Sequence, residues 1–120
     1  MQIAVCCSDE NELRQVSSSI EEVSARFHKY ALSVTFPSEG ALWRAFRPGL
    51  FQAAVVGYGD AAGFLCARRL REEDSACRVI LLDDTERYAI RGLRIHLSDF
   101  LLRPLEEERL RAALERLLTE

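Results

Sequence analysis

Most features that would identify this sequence quickly are missing from it. No apolar run approaches the roughly 18 residues of a membrane-spanning helix. The chain opens directly into Gln2-Ile-Ala-Val, without the basic stretch or small-residue cleavage site of a secretory leader. A net charge of −3 over 120 residues supplies no polybasic surface for nucleic acid or an acidic membrane. Only His28 and His96 could assist a zinc site, and no C-x₂-C pair accompanies them. The glycine pair of Gly57-Tyr-Gly59 is too short to be a phosphate-cradling fingerprint. No nucleophile–base pair or paired carboxylates stand at catalytic spacing, so no enzymatic activity is expected.

Cysteine is present but badly placed for disulfides. Cys6 and Cys7 are adjacent on a predicted strand, and Cys66 falls within a predicted helix. Together with Cys77 they are expected to be reduced, structural thiols of a cytoplasmic protein. Cys7 ends its strand beside the presumed site, but no basic partner is apparent that would activate it, so it too is expected to be inert.

What remains is an ordinary globular balance, 48% hydrophobic and 29% charged, at a length that suits one domain over residues 1–120. Gln2 to Cys7 has the β-branched, apolar character of a strand. Ser8 or Asp9 then caps a helix whose apolar stripe is Leu13, Val16, Ile20, Val23 and Phe27. Ala31 to Phe36 alternates as a second strand, and Pro37 to Gly40 reads as a turn before a short helix, Ala41 to Phe46. Pro48 and Gly49 end that helix. Ala53 to Val56 is a short apolar run of the kind buried on both faces in mid-sheet.

A third helix is expected from about Ala61 to Asp74, with Phe64, Leu65, Ala67 and Leu70 inward and Asp60 as its N-cap. Arg78 to Leu82 is a fourth strand, followed by a helix of roughly Arg87 to His96. His96 is expected to interact with that helix's last carbonyls. Ser98 to Leu102 is a fifth strand, and Glu106 to Leu118 a last helix. Trp43 reads as a half-buried packing residue. Strand and helix alternate five times, which predicts a doubly wound, parallel α/β sheet, flavodoxin-like in the order 2-1-3-4-5. Ligand sites in such sheets form at the carboxyl ends of the strands. That places Cys7, Ser8, Gly57, Asp83 and Arg103 around one crevice.

These pieces resemble the receiver domain of bacterial response regulators, more closely the LytTR-type regulators. Three runs carry the resemblance: Ile3-Ala-Val-Cys-Cys-Ser-Asp9, Glu86-Arg-Tyr-Ala-Ile-Arg-Gly92 and Ser98-Asp-Phe-Leu-Leu-Arg-Pro104. The resemblance implies a signalling domain that often precedes a DNA-binding module and regulates transcription. It also implies a phospho-acceptor aspartate at the end of the third strand, where this chain has Gly57. The acidic pair that would hold Mg²⁺ matches Cys7 and Ser8, with Asp9 one step late. The Thr or Ser after the fourth strand is Asp83, the lysine before proline is Arg103, and Phe100 keeps the aromatic switch position. The loop from Gly57 to Gly63 is about two residues short and lacks the family's M-P pair.

A thiol and a hydroxyl are poor substitutes for two hard carboxylates, so Mg²⁺ binding is expected to be weak or absent. Glycine cannot accept a phosphoryl group. The expectation is a pseudo-receiver with no cofactor, in which Asp83 and Arg103 form an ion pair where phosphate would sit. Asp60 is a weaker candidate for a displaced acceptor. The family's usual dimer face would here carry Ile90, Arg91, Arg94, Asp99, Glu107, Arg109 and Arg111, whose mixed charges suit a two-fold, so a homodimer is expected. The alternative reading is a small-ligand-binding module at the strand ends.

Overall fold

The computed structural model describes residues 1–120 and contains ten elements in strict alternation. They are β1 (Gln2–Cys7), α1 (Glu10–Arg26), β2 (Leu32–Phe36), α2 (Glu39–Ala45), β3 (Ala53–Gly57), α3 (Asp60–Glu73), β4 (Arg78–Asp83), α4 (Ala89–Arg94), β5 (Asp99–Leu102) and α5 (Glu107–Thr119). The five strands form one parallel sheet in the order β2-β1-β3-β4-β5. This is the expected flavodoxin-like order.

Two apolar layers explain it. Alternate residues of a strand face opposite sides of the sheet. Ile3, Val5, Ala53, Val55, Ile80 and Leu82 face α1 and α5, packing on Leu13, Val16, Ile20, Leu110, Leu114 and Leu117. Ala4, Cys6, Ala54, Val56, Val79 and Leu81 face the other way, onto Leu42, Phe64, Ala67, Leu70 and Tyr88. The continuous apolar runs of β1, β3 and β4 are therefore buried on both faces, whereas β2 and β5 are edges.

Local details depart from the sequence reading. Helix α2 begins at Glu39, inside the predicted turn, because the Ser38 hydroxyl accepts from the Ala41 amide at 3.2 Å and so caps it. Leu65 is not inward but 47% exposed; Cys66 takes the buried position instead. Helix α4 is only a turn and a half, shorter than its pattern suggested, and has no side-chain cap. His96 lies beyond its C-cap in a left-handed conformation (φ 59°), with its backbone amide, not its imidazole, donating to the Leu93 carbonyl at 3.2 Å. Trp43 is half-buried, as expected, with the Arg69 guanidinium 3.8 Å over its ring.

Candidate functional site

The carboxyl ends of β1, β3, β4 and β5 bring Ser8, Asp9, Gly57, Tyr58, Asp84 and Arg103 around an open cavity of about 300 Å³. Its floor is Gly57, which lies beside Cys7 in the β1–β3 register. Asp9 is spoken for: its carboxylate caps α1 by accepting from the Asn11 amide at 2.9 Å.

One wall of the cavity is an ion pair that sequence reasoning did not foresee. Arg103 reaches across the end of β3 to Glu12 in the first turn of α1. Its Nε donates to Glu12 Oε2 at 2.8 Å and its Nη2 to Oε1 at 2.7 Å. The same Nη2 donates to the Gly57 carbonyl at 2.5 Å. This two-pronged geometry is the strongest that arginine and a carboxylate make. Glu12 is buried and the Arg103 side chain is 20% exposed, so little solvent competes with it. The hydrogen bonds to Glu12 raise the Arg103 pKa further above its ordinary value, despite burial acting the other way.

Gly57 makes the clasp possible. A Cβ at this position would lie 2.8 Å from Arg103 Nη2, 2.8 Å from Glu12 Oε1 and 3.1 Å from Cys7 Sγ. The space a side chain at position 57 would need is thus occupied by Glu12 and Arg103. A signal for Glu12 was present in the sequence. It falls four residues before Val16 on the buried stripe of α1, a charge where the helical period calls for an apolar residue.

The expected Asp83–Arg103 pair does not form. The two meet only through backbone, the Arg103 amide donating to the Asp83 carbonyl at 2.7 Å. The Asp83 carboxylate, 1% exposed, instead accepts from two amides with Oδ1: Asp84 at 2.7 Å and Asp60 at 3.2 Å. It therefore caps α3 from a neighbouring strand. That displaces Asp60, which was expected to cap the helix and does not: Gly59 holds the N-cap position at φ 87°, a conformation that costs glycine little. Asp60 follows at φ 50° on the cavity rim. Arg103 makes its only other charge contact with exposed Asp84, at 3.7 Å.

The thiols are deeply buried and free. Burial, then the neighbouring Glu12 carboxylate, pushes the Cys7 thiol well above the ordinary range. Burial does the same to Cys66 and Cys77, each raised to about 12. An un-ionised thiol is neither a nucleophile nor a metal ligand. A Mg²⁺ site fits these residues poorly, since Asp9 serves as a cap, Glu12 is held by arginine, and no group of three or more ligating side chains converges.

On the face formed by α4, β5 and α5, most expected charges are already paired within the chain. Arg111 pairs with Glu22 and Glu107 at 2.7 and 2.9 Å, Arg109 lies 3.7 Å from Glu106, and Asp99 pairs with Arg116. What this face presents openly is apolar. Ile90 is 70% and Leu93 74% exposed, beside a groove floored by Leu97 and Phe100. Arg91 and Arg94 are exposed on the same helix, outside the groove's lining, with the Arg91 guanidinium 5.9 Å over the Tyr88 ring.

No family model and no curated protein matches the sequence. Solved structures do. The response regulator DrrB of Thermotoga maritima, an OmpR/PhoB homolog, superposes with TM-score 0.79 at 23% identity over 98% of this chain. The chain spans about half of that protein, 52% of its length. The BeF₃-activated DrrB receiver domain gives TM-score 0.77 at 24% identity, covering 99% of this chain and 97% of the domain. Another Thermotoga maritima response regulator gives 0.80 at 14% identity, over 99% and 98%. At such identities the likeness concerns architecture: the chain has the flavodoxin-like fold of response-regulator receiver domains.

Proposed function

We propose that this domain is a pseudo-receiver: a phosphorylation-independent module of a two-component-type signalling system, cytoplasmic, without enzymatic activity or bound metal. The carrying observation is the Glu12–Arg103 clasp over Gly57. Glycine offers no oxygen to accept phosphate. Phosphoryl transfer also needs metal and free positive charge to offset the developing negative charge. Here the one arginine at the site is neutralised by a carboxylate of the same chain.

Output then runs through protein contacts. The apolar knobs Ile90 and Leu93, bordered by Arg91 and Arg94, suit a second copy or a signalling partner, and we propose a homodimer through this face. The charges named for that role on α5 stabilise the fold first, which leaves the apolar groove to carry association. Attachment to a LytTR-type DNA-binding module, and hence control of transcription, belongs to the same proposal and rests on the three sequence runs that resemble that family.

Intact mass after incubation with Mg²⁺ and a small phosphodonor tests the central point. The expected result is no phosphoryl adduct. An adduct that disappears in Asp60→Ala would move the acceptor along the loop and overturn the reading.

A further inference from the structure

The opposite edge of the sheet carries a second surface that the signalling reading does not use. β2 pairs only with β1, so its outer side is unpaired. The Leu32 amide donates to the Met1 carbonyl at 2.9 Å. Backbone groups alternate along a strand, so Leu32, Val34 and Phe36 face β1 while Ser33 and Thr35 turn theirs outward. Natural edges are usually guarded by charge, proline or a bulge within the strand. This one is not: Tyr30 to Phe36 contains no charged residue, and guarding begins only at Lys29 and Pro37.

Beside the edge, a groove of about 680 Å³ separates β2 from α1. Ser33 and Thr35 from the strand, and Leu13, Arg14 and Ser17 from the helix, line it. The Ser17 hydroxyl has no hydrogen-bond partner in the chain. At helical spacing, Arg14, Ser17 and exposed Glu21 form one stripe along this flank.

We propose that β2 pairs with β2 of a second copy, antiparallel about a two-fold axis at Val34, extending the sheet across both chains. Ser33 then stands opposite the partner's Thr35. Both turn their backbone groups outward, so the register gives about four inter-chain hydrogen bonds, as a hydrogen-bonded antiparallel pair requires. Ser17 lines the same groove as Ser33 and Thr35, so the middle of α1 lies level with Val34, and the axis brings the two α1 helices antiparallel. Arg14 and Glu21 are equidistant in sequence from the Ser17–Ser18 centre, so each Arg14 exchanges its exposed contact with Glu10 of its own chain, at 3.8 Å, for the partner's Glu21. The small serines between them permit close approach. Hydrogen-bond pattern and charge pattern thus select the same occupant, a second copy of this chain.

Sedimentation equilibrium of the full chain carrying Leu93→Asp, which disables the α4 face, tests this independently of the proposed signalling contact. The expected result is a dimer. Thr35→Pro removes only an outward amide, and should weaken the dimer at least about tenfold while far-UV circular dichroism stays unchanged. Arg14→Glu and Glu21→Arg should each weaken it about fivefold, and the double swap should restore it. The charge series decides alone if Thr35→Pro fails to fold. A Leu93→Asp chain that is monomeric at all concentrations, or a dimer indifferent to the swap, overturns the proposal. In the first case, dimerisation of the unmodified chain would still favour the α4 face.

Discussion

The strand-end site and the α4 face show opposite ways of treating exposed chemistry. At the strand ends most charges have been given work inside the chain. Asp9 caps a helix, Asp83 caps another from across the sheet, and Glu12 holds Arg103. On α4, by contrast, two large apolar side chains are left uncovered beside a groove. Isolated exposed leucines need no explanation; two large apolar side chains beside an apolar groove are what the proposed contact through α4 rests on. In this chain the strand-end crevice is lined by an internal ion pair, and the apolar exposed surface is elsewhere.

The comparison breaks most directly at Glu12. Glu12→Ala leaves the Arg103 guanidinium half-buried without its carboxylate, and should lower stability by about 2–3 kcal/mol in chemical denaturation, with little change at the α4 face. Comparable in size, and larger near pH 10, is the summed alkaline response of the four buried thiols. Their pKa values are raised, so the folded state keeps protons that the unfolded chain releases. Their contribution is intact below about pH 9 and falls as pH rises, by about 1.4 kcal/mol per pH unit for each thiol held protonated, until Cys66 and Cys77 ionise near 12. Melting temperature measured from pH 7 to 10 should therefore drop steeply above 9. A flat profile would mean that the thiols are more accessible than their burial implies.

Gly57→Asp sharpens the comparison rather than breaking it. Alone it should cost about 2 kcal/mol, since its side chain enters space held by Glu12 and Arg103. Combined with Glu12→Ala, the new carboxylate can take over Arg103, and the double variant should be more stable than the sum of its parts by about 1 kcal/mol. Strict additivity would show that the two positions do not share the space. The smallest effect on stability belongs to Leu93→Asp, within about 0.5 kcal/mol because the side chain is exposed. Its readout is a fall in molar mass by light scattering, from larger assemblies to the β2-paired dimer.

The order of strands, the two-sided core and the location of the crevice were readable because they depend on period and on topology rules, which a linear pattern carries. The short helix α4 was read too long at both ends: Arg87 and Tyr88 form a turn before it, and Ile95 caps it. Gly57 at the end of β3 was equally plain. The partner of Arg103 was not. Asp83 and Glu12 were both carboxylates within reach by topology, and the choice between them turned on a local contest: two free amides at the start of α3 and after β4 claimed Asp83 first. Glu12 could win only because glycine left the intervening space empty. Sequence by itself determined the fold and the glycine at the end of β3, since burial pattern and side-chain identity fix both. Which charges pair was decided in three dimensions, where short-range geometry among distant residues sets the outcome.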